Sequence, residues 1–172
     1  MIGSRRAILP LILLGLVGFS KVSIGQEKPV NNQVPQNSSQ NSYTQVVKSE
    51  VLATGLPASA PGQVLELVRY IIPPQVNLPV HIHPGMQIVK VEYGMLTYTV
   101  VKGQATITRA NGQIEYLNAG ETTVLKVGDS LVEPAGMVHY GQNETNSEVI
   151  LLSASLFEQD KPKAILVPNM PK

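Results

Sequence analysis

From residue 64 to residue 157 the chain is cut into short runs rich in Val, Leu, Ile, Thr and Tyr, each stopped by Gly, Pro, Asn or Asp. β-branched and aromatic side chains fit a pleated, half-buried surface, and the stops are the residues that tight turns require. Strands are expected over 44–52, 64–72, 81–93, 96–101, 104–109, 113–117, 122–125, 130–132 and 148–157. Between them Pro73-Pro74, Ala110-Asn111-Gly112, Asn118-Ala119-Gly120 and Val127-Gly128-Asp129 read as breaks or turns, and 53–62 as a Pro-, Gly- and Ala-rich loop. No long stretch repeats apolar residues at the 3.6-residue period of an amphipathic helix. Many short strands at regular spacing predict an all-β sandwich or closed barrel.

The composition agrees. At 172 residues the chain suits one domain with extra segments. Charged residues make up 15%, below the roughly 25% usual for soluble domains, which suits a compact β protein. There is no Cys, which excludes disulfides, Cys-ligated zinc and iron–sulfur clusters. The formal charge is +1 and no basic cluster stands out, so nucleic acid is not an expected partner.

The N-terminal residues read as a targeting segment rather than as part of the fold. Ser4-Arg5-Arg6 precedes an apolar run over 7–19, and Ser23-Ile24-Gly25 offers small residues for a signal peptidase. A signal peptide over 1–25 is expected, and with it a periplasmic or extracellular protein that keeps no membrane anchor after cleavage. The run is short against the roughly 20 apolar residues a spanning helix needs. The two arginines also admit twin-arginine export, which carries folded proteins. Residues 26–42 are rich in Asn, Gln and Ser and read as a disordered linker. The barrel domain is then expected over 43–160, with a C-terminal tail over 161–172.

Chemistry concentrates at three histidines, which are all the chain has: His81, His83 and His139. On a strand, side chains two residues apart project from one face, so His81 and His83 can aim at a common point. A paired strand could bring His139 there too. Neutral imidazole is the commonest protein ligand of transition metals. A metal site inside a β structure is the reading these residues support.

Two spacings here resemble the motifs of the cupin superfamily. His81, one residue, His83, three residues, Gln87, six residues, Gly94 is similar to the first motif, in which Glu usually occupies the Gln position. Gly128, five residues, Pro134-Ala135-Gly136, two residues, His139, three residues, Asn143 is similar to the second at every defining position. The resemblance covers roughly residues 64–157 and implies a double-stranded β-helix, or jelly-roll barrel. It implies one divalent metal held by His81, His83 and His139, with Gln87 as fourth ligand. Such a shell carries no charge, so the ion would keep its full +2, draw anionic ligands and acidify bound water. Fe, Mn, Ni, Cu, Co and Zn all accept nitrogen-plus-oxygen shells, and the ligands do not choose among them.

Other residues are candidates around that centre. Glu133, if it points inward, is the carboxylate nearest the metal and a candidate general base with a raised pKa. Tyr98 shares a strand face with Leu96 and Val100 and is a candidate pocket residue, with Met86 and Met137 as a possible apolar wall. Gly136 would permit a tight turn before the strand of His139. The expected function is an exported metal-dependent cupin acting on a small organic molecule, with dioxygenase or isomerase chemistry as the classes this implies. The alternative is a non-catalytic module binding a metal, a sugar or an organic acid. Small cupins often pair sheets, so a homodimer is possible, with 44–52 or 148–157 supplying the exposed edge.

Overall fold

The computed structural model describes residues 47–168. The expected signal peptide and linker lie outside them. Among the described residues there are strands, turns and bends but no helix. The strands are β1 (Lys48–Gly55), β2 (Gln63–Ile72), β3 (His81–Ile82), β4 (Gly85–Tyr93), β5 (Met95–Lys102), β6 (Gln104–Thr108), β7 (Ile114–Asn118), β8 (Thr122–Lys126), β9 (Ser130–Glu133), β10 (Val138–Gln142), β11 (Val149–Glu158) and β12 (Ile165–Leu166).

They form two antiparallel sheets. One has seven strands in the order β1-β2-β11-β4-β9-β6-β7, and the other five in the order β12-β3-β10-β5-β8. Period-2 alternation decides what each sheet turns inward. On β4 the buried positions are Gln87, Val89 and Val91; on β11 they are Val149, Leu151, Ser153, Ser155 and Phe157. The facing sheet supplies Leu96, Tyr98, Val100 and Leu125, and one core joins both sheets. At about 25 cal/mol per Å² of apolar surface removed from water, these interleaved rows are the main stabilising term. This is the two-sheet all-β architecture the strand texture predicts, and it agrees with the jelly-roll that the cupin resemblance implies.

The first motif departs from the expected layout. A single strand over 81–93 does not form, because the chain leaves one sheet at Ile82 and enters the other at Gly85. Pro84 cannot donate a ladder hydrogen bond. A Cβ at Gly85 would overlap the Leu156 carbonyl oxygen, so glycine is what lets β4 start flush against β11. His81 and Gln87 therefore reach the interior from opposite sheets, and not by shared parity along one strand.

Two further expectations change. Residues 162–166 are no loose tail, since β12 pairs with β3 through Ile165 opposite Ile82 and Leu166 opposite His81. β11 is not an edge, because it is hydrogen-bonded to β2 on one side and β4 on the other. β1 is an edge strand, and all eight of its residues are exposed.

Candidate metal centre

β10 runs beside β3 with His139 directly opposite His81. His83 follows two residues after His81, at the crossing between sheets. The ligand nitrogens of the three histidines all lie within 4.8 Å of one another, and the ring centroids of His81 and His139 are 4.3 Å apart. Each ring is held by the backbone through Nδ1: His81 to Pro79 O at 2.8 Å, His83 to Lys163 O at 2.5 Å and His139 to Met137 O at 3.2 Å. A carbonyl oxygen only accepts, so Nδ1 carries the proton and Nε2 carries the lone pair. Phe157 stacks on the His83 ring at 5.3 Å. Fixing the tautomer through the far nitrogen is how proteins orient metal-binding histidines.

Electrostatics favour the neutral, ligating form. Burial, then the neighbouring His139 and His83, push His81 down to about 3. Burial likewise lowers His83, with the Glu133 charge working against it. Three converging imidazoles with these tautomers fit a divalent transition metal, as the resemblance implies.

The facing sheet brings a carboxylate and an amide. Glu133 is 2% exposed and points inward, following the alternation of β9 from Leu131. Its Oε1 accepts from Tyr98 OH at 2.6 Å, and its Oε2 accepts from the Gln87 amide nitrogen. The raised pKa expected from burial is not found. Burial does push Glu133 up, but His139, His83 and the hydrogen bonds from Tyr98 and Gln87 outweigh it and hold the carboxyl at about 2. So low a value makes Glu133 a resident anion and a weak proton acceptor. Burial, and then the charge and hydrogen bond of Glu133, raise Tyr98 well above the ordinary phenol range, so its hydroxyl remains a donor.

Gln87 lies among these groups, but not in the orientation a ligand needs. Its Oε1 accepts from Ser153 Oγ at 2.9 Å, while its Nε2 faces His83 Nε2 at 2.8 Å. An ionised carboxylate has no hydrogen to give, so the contact with Glu133 requires the NH₂ on that side. Gln87 thus turns a hydrogen, not a lone pair, towards His83.

The cluster forms the polar part of a cavity of about 410 Å³, whose other walls include Ile72, Leu78, Val89, Leu96, Leu131 and Leu151. That volume is in the usual range for small-molecule sites. Tyr98 lines it, as do Pro162, Lys163, Ala164 and Leu166 from the C-terminal stretch. Met86 does not: it is 50% exposed and lies on the opposite face of β4 from Gln87. Met137 is buried in the core, where it occupies the space a side chain at Gly103 would meet, and is not part of the wall. Sequence reasoning missed Ser153 and the 162–166 stretch. The apolar run Ala164-Ile165-Leu166-Val167 was the available signal for the latter.

The second motif has both a site role and a structural one. Gly136, at φ 72°, sits in the left-handed region and turns the chain into β10. Its N–H donates to His83 O at 3.4 Å, tying the two motifs together. Asn143 is fully buried and its amide donates to Ile72 O, Pro73 O and Ser147 O, closing loops away from the metal cluster. A sequence model of the Cupin domain family matches residues 110–155, which contain this entire motif. Over these residues the chain matches the Cupin domain family, in agreement with the resemblance of its two motifs.

No curated protein matches this chain. Similar solved structures include an oxalate oxidase in complex with the substrate analogue glycolate, 20% identical with a TM-score of 0.45 over 82% of this chain and 60% of that one. A Cupin 2 conserved barrel domain protein from Leptotrichia buccalis is 21% identical, with a TM-score of 0.43 over 66% of this chain and 41% of that one. A salicylate 1,2-dioxygenase from Pseudaminobacter salicylatoxidans is 17% identical, with a TM-score of 0.44 over 64% and 26%. The chain spans less than two thirds of the length of each of these three proteins.

Proposed function

We propose that this protein is an exported metal-dependent cupin, an oxidoreductase of dioxygenase type acting on a small organic molecule with an apolar body and an oxygen donor at one end. The observation that carries this is the placement of His81, His83, His139 and Glu133 on the wall of an otherwise mostly apolar cavity of about 410 Å³. A redox-active divalent metal there would supply open positions for dioxygen and for the substrate's oxygen. The apolar residues Ile72, Leu96, Leu131 and Leu151 would hold the substrate body and exclude water. Tyr98 and Gln87 hold the Glu133 carboxylate, so the polar end of the site is preorganised.

Export is supported by Arg5-Arg6, the apolar run over 7–19 and the small residues before Gln26. The exposed edge strand β1 supports pairing into a homodimer. The test is an oxygen electrode with protein loaded separately with Fe²⁺, Mn²⁺, Ni²⁺ and Cu²⁺ and offered diketones, flavonols, salicylates and oxalate. Metal-dependent oxygen uptake with one class is the expected result. Saturable binding of these compounds without uptake by any loaded form would instead make the protein a binding module.

A further inference from the structure

We infer that Glu133, on β9, takes the fourth metal-ligand place that the first cupin motif assigns to the position of Gln87, and that Gln87 serves as its positioning residue. This rests on the reading of His81, His83 and His139 as a metal centre. The two residues are exchange partners by topology: β4 pairs with β9 in a register that sets Gln87 directly opposite Glu133. Both side chains project into the cavity. Moving a carboxylate from one position to the other shifts it by a single strand within the same inward layer.

Distances decide between a hydrogen-bonded carboxylate and a ligating one. Glu133 Oε1 lies 3.3 Å from His139 Nε2, and Glu133 Oε2 lies 3.5 Å from His83 Nε2. A charge-assisted N–H···O bond would draw these pairs to about 2.7–2.9 Å. Donor atoms each about 2.1 Å from one metal ion are separated by about 3.0 Å in an octahedron and about 3.4 Å in a tetrahedron. Both observed separations fit a coordination edge better than a hydrogen bond.

The lone pairs are also arranged for it. A carboxylate has roughly four acceptor positions. Tyr98 takes one on Oε1 and Gln87 takes one on Oε2. On the other side Oε1 approaches His139 Nε2 and Oε2 approaches His83 Nε2, so acceptor faces acceptor, an arrangement that a bridging cation would relieve.

Gln87 cannot readily take the role itself. Rotating its amide would press an oxygen against Glu133 Oε2 and give up the hydrogen bond that holds that oxygen. Ser153, donating to Gln87 Oε1, keeps the amide in its present sense. Metal entry requires Gln87 to release His83 Nε2 while keeping Glu133. The resulting shell has three neutral nitrogens and one anion, so a divalent ion in it carries a net +1.

The test titrates metal-free full-length protein with Co²⁺, reading the dissociation constant and the visible d–d spectrum. The variants are Glu133→Gln, Gln87→Ala, His139→Ala and the exchange Gln87→Glu with Glu133→Gln. Glu133→Gln is expected to weaken binding by about 100-fold and change the spectrum. Gln87→Ala is expected to weaken it by about 10-fold with the spectrum kept, as for loss of a residue behind a ligand. The exchange should restore affinity to within about 10-fold, which a misfolded scaffold would not do. The infrared carboxylate bands of the wild-type protein should shift on Co²⁺ addition, a readout that needs no variant. Glu133→Gln binding Co²⁺ as tightly as wild type with an unchanged spectrum would overturn the assignment of Glu133 while leaving the histidine centre standing. Wild-type protein that binds no Co²⁺, or His139→Ala binding equally well, would overturn the centre and this assignment with it.

Discussion

Gln87 and Glu133 face each other across the β4–β9 pair, and the amide nitrogen of the first donates to the carboxylate of the second. That single contact joins the two cupin motifs on the sheet opposite the one that carries His81 and His139. It also makes the polar wall of the cavity a connected set of hydrogen bonds running from Ser153 through Gln87 and Glu133 to Tyr98.

Removing the Tyr98 hydroxyl should therefore be costly. Tyr98 is 3% exposed and its OH donates to Glu133 at 2.6 Å. Hydrogen bonds to charged groups contribute about 1.5–3 kcal/mol, so Tyr98→Phe should lower the unfolding free energy of the metal-free protein by that amount. Urea unfolding at pH 7.5 measures it. A loss below about 0.5 kcal/mol would mean that Glu133 does not depend on the phenol.

The C-terminal stretch should matter to the metal although it supplies no ligand. Lys163 O accepts from His83 Nδ1, and β12 borders His81 through its pairing with β3. Truncation after Lys161 removes both supports. Metal affinity is expected to fall by about 10- to 100-fold, the usual cost of losing a partner behind a ligand. Competition with a chromophoric chelator reads the change, and an unaltered dissociation constant would show that His83 is oriented by other contacts.

Acid should destabilise the metal-free fold in two steps. His81 binds its proton near pH 6.5 in the unfolded chain but only at about 3 in the fold. The unfolded state then holds the extra proton, so stability is complete above pH 6.5 and falls as pH drops towards 3, by about 1.4 kcal/mol per unit. His83 shifts in the same direction and adds to the slope. Glu133, at about 2 in the fold against 4.5 outside it, adds a second loss that begins below pH 4.5. Unfolding free energies measured between pH 7.5 and 4 should show this slope; a flat profile down to pH 5 would contradict the buried neutral His81.

Most of the strands were legible because the turn residues punctuate them and little else competes; β12 and the break between β3 and β4 were not. Ala110-Asn111-Gly112 does connect β6 to β7, with Arg109 and Gln113 hydrogen-bonded across it. The histidine cluster was legible because three histidines leave few combinations. What stayed hidden depends on tertiary detail. Whether Pro84-Gly85 bends a strand or moves the chain between sheets is decided by the close approach of Leu156. The sense of the Gln87 amide is decided by Glu133 and Ser153, far away in sequence. The depressed Glu133 pKa comes from neighbours that burial alone does not reveal. Met86 and Met137 border the motifs in sequence, but strand alternation and core packing carry both away from the cavity.

Whether His81, His83 and His139 hold a divalent transition metal is read most directly from stoichiometry. Metal-free protein and its His139→Ala variant, both shown to be folded by circular dichroism, should be equilibrated with Zn²⁺, Co²⁺ and Mn²⁺ and the bound metal counted by mass spectrometry after dialysis. One tightly held ion per chain is expected in the wild-type protein for at least one of these metals, with loss of that ion on removing His139. Equal metal content in both proteins, or none in the wild type, would contradict it.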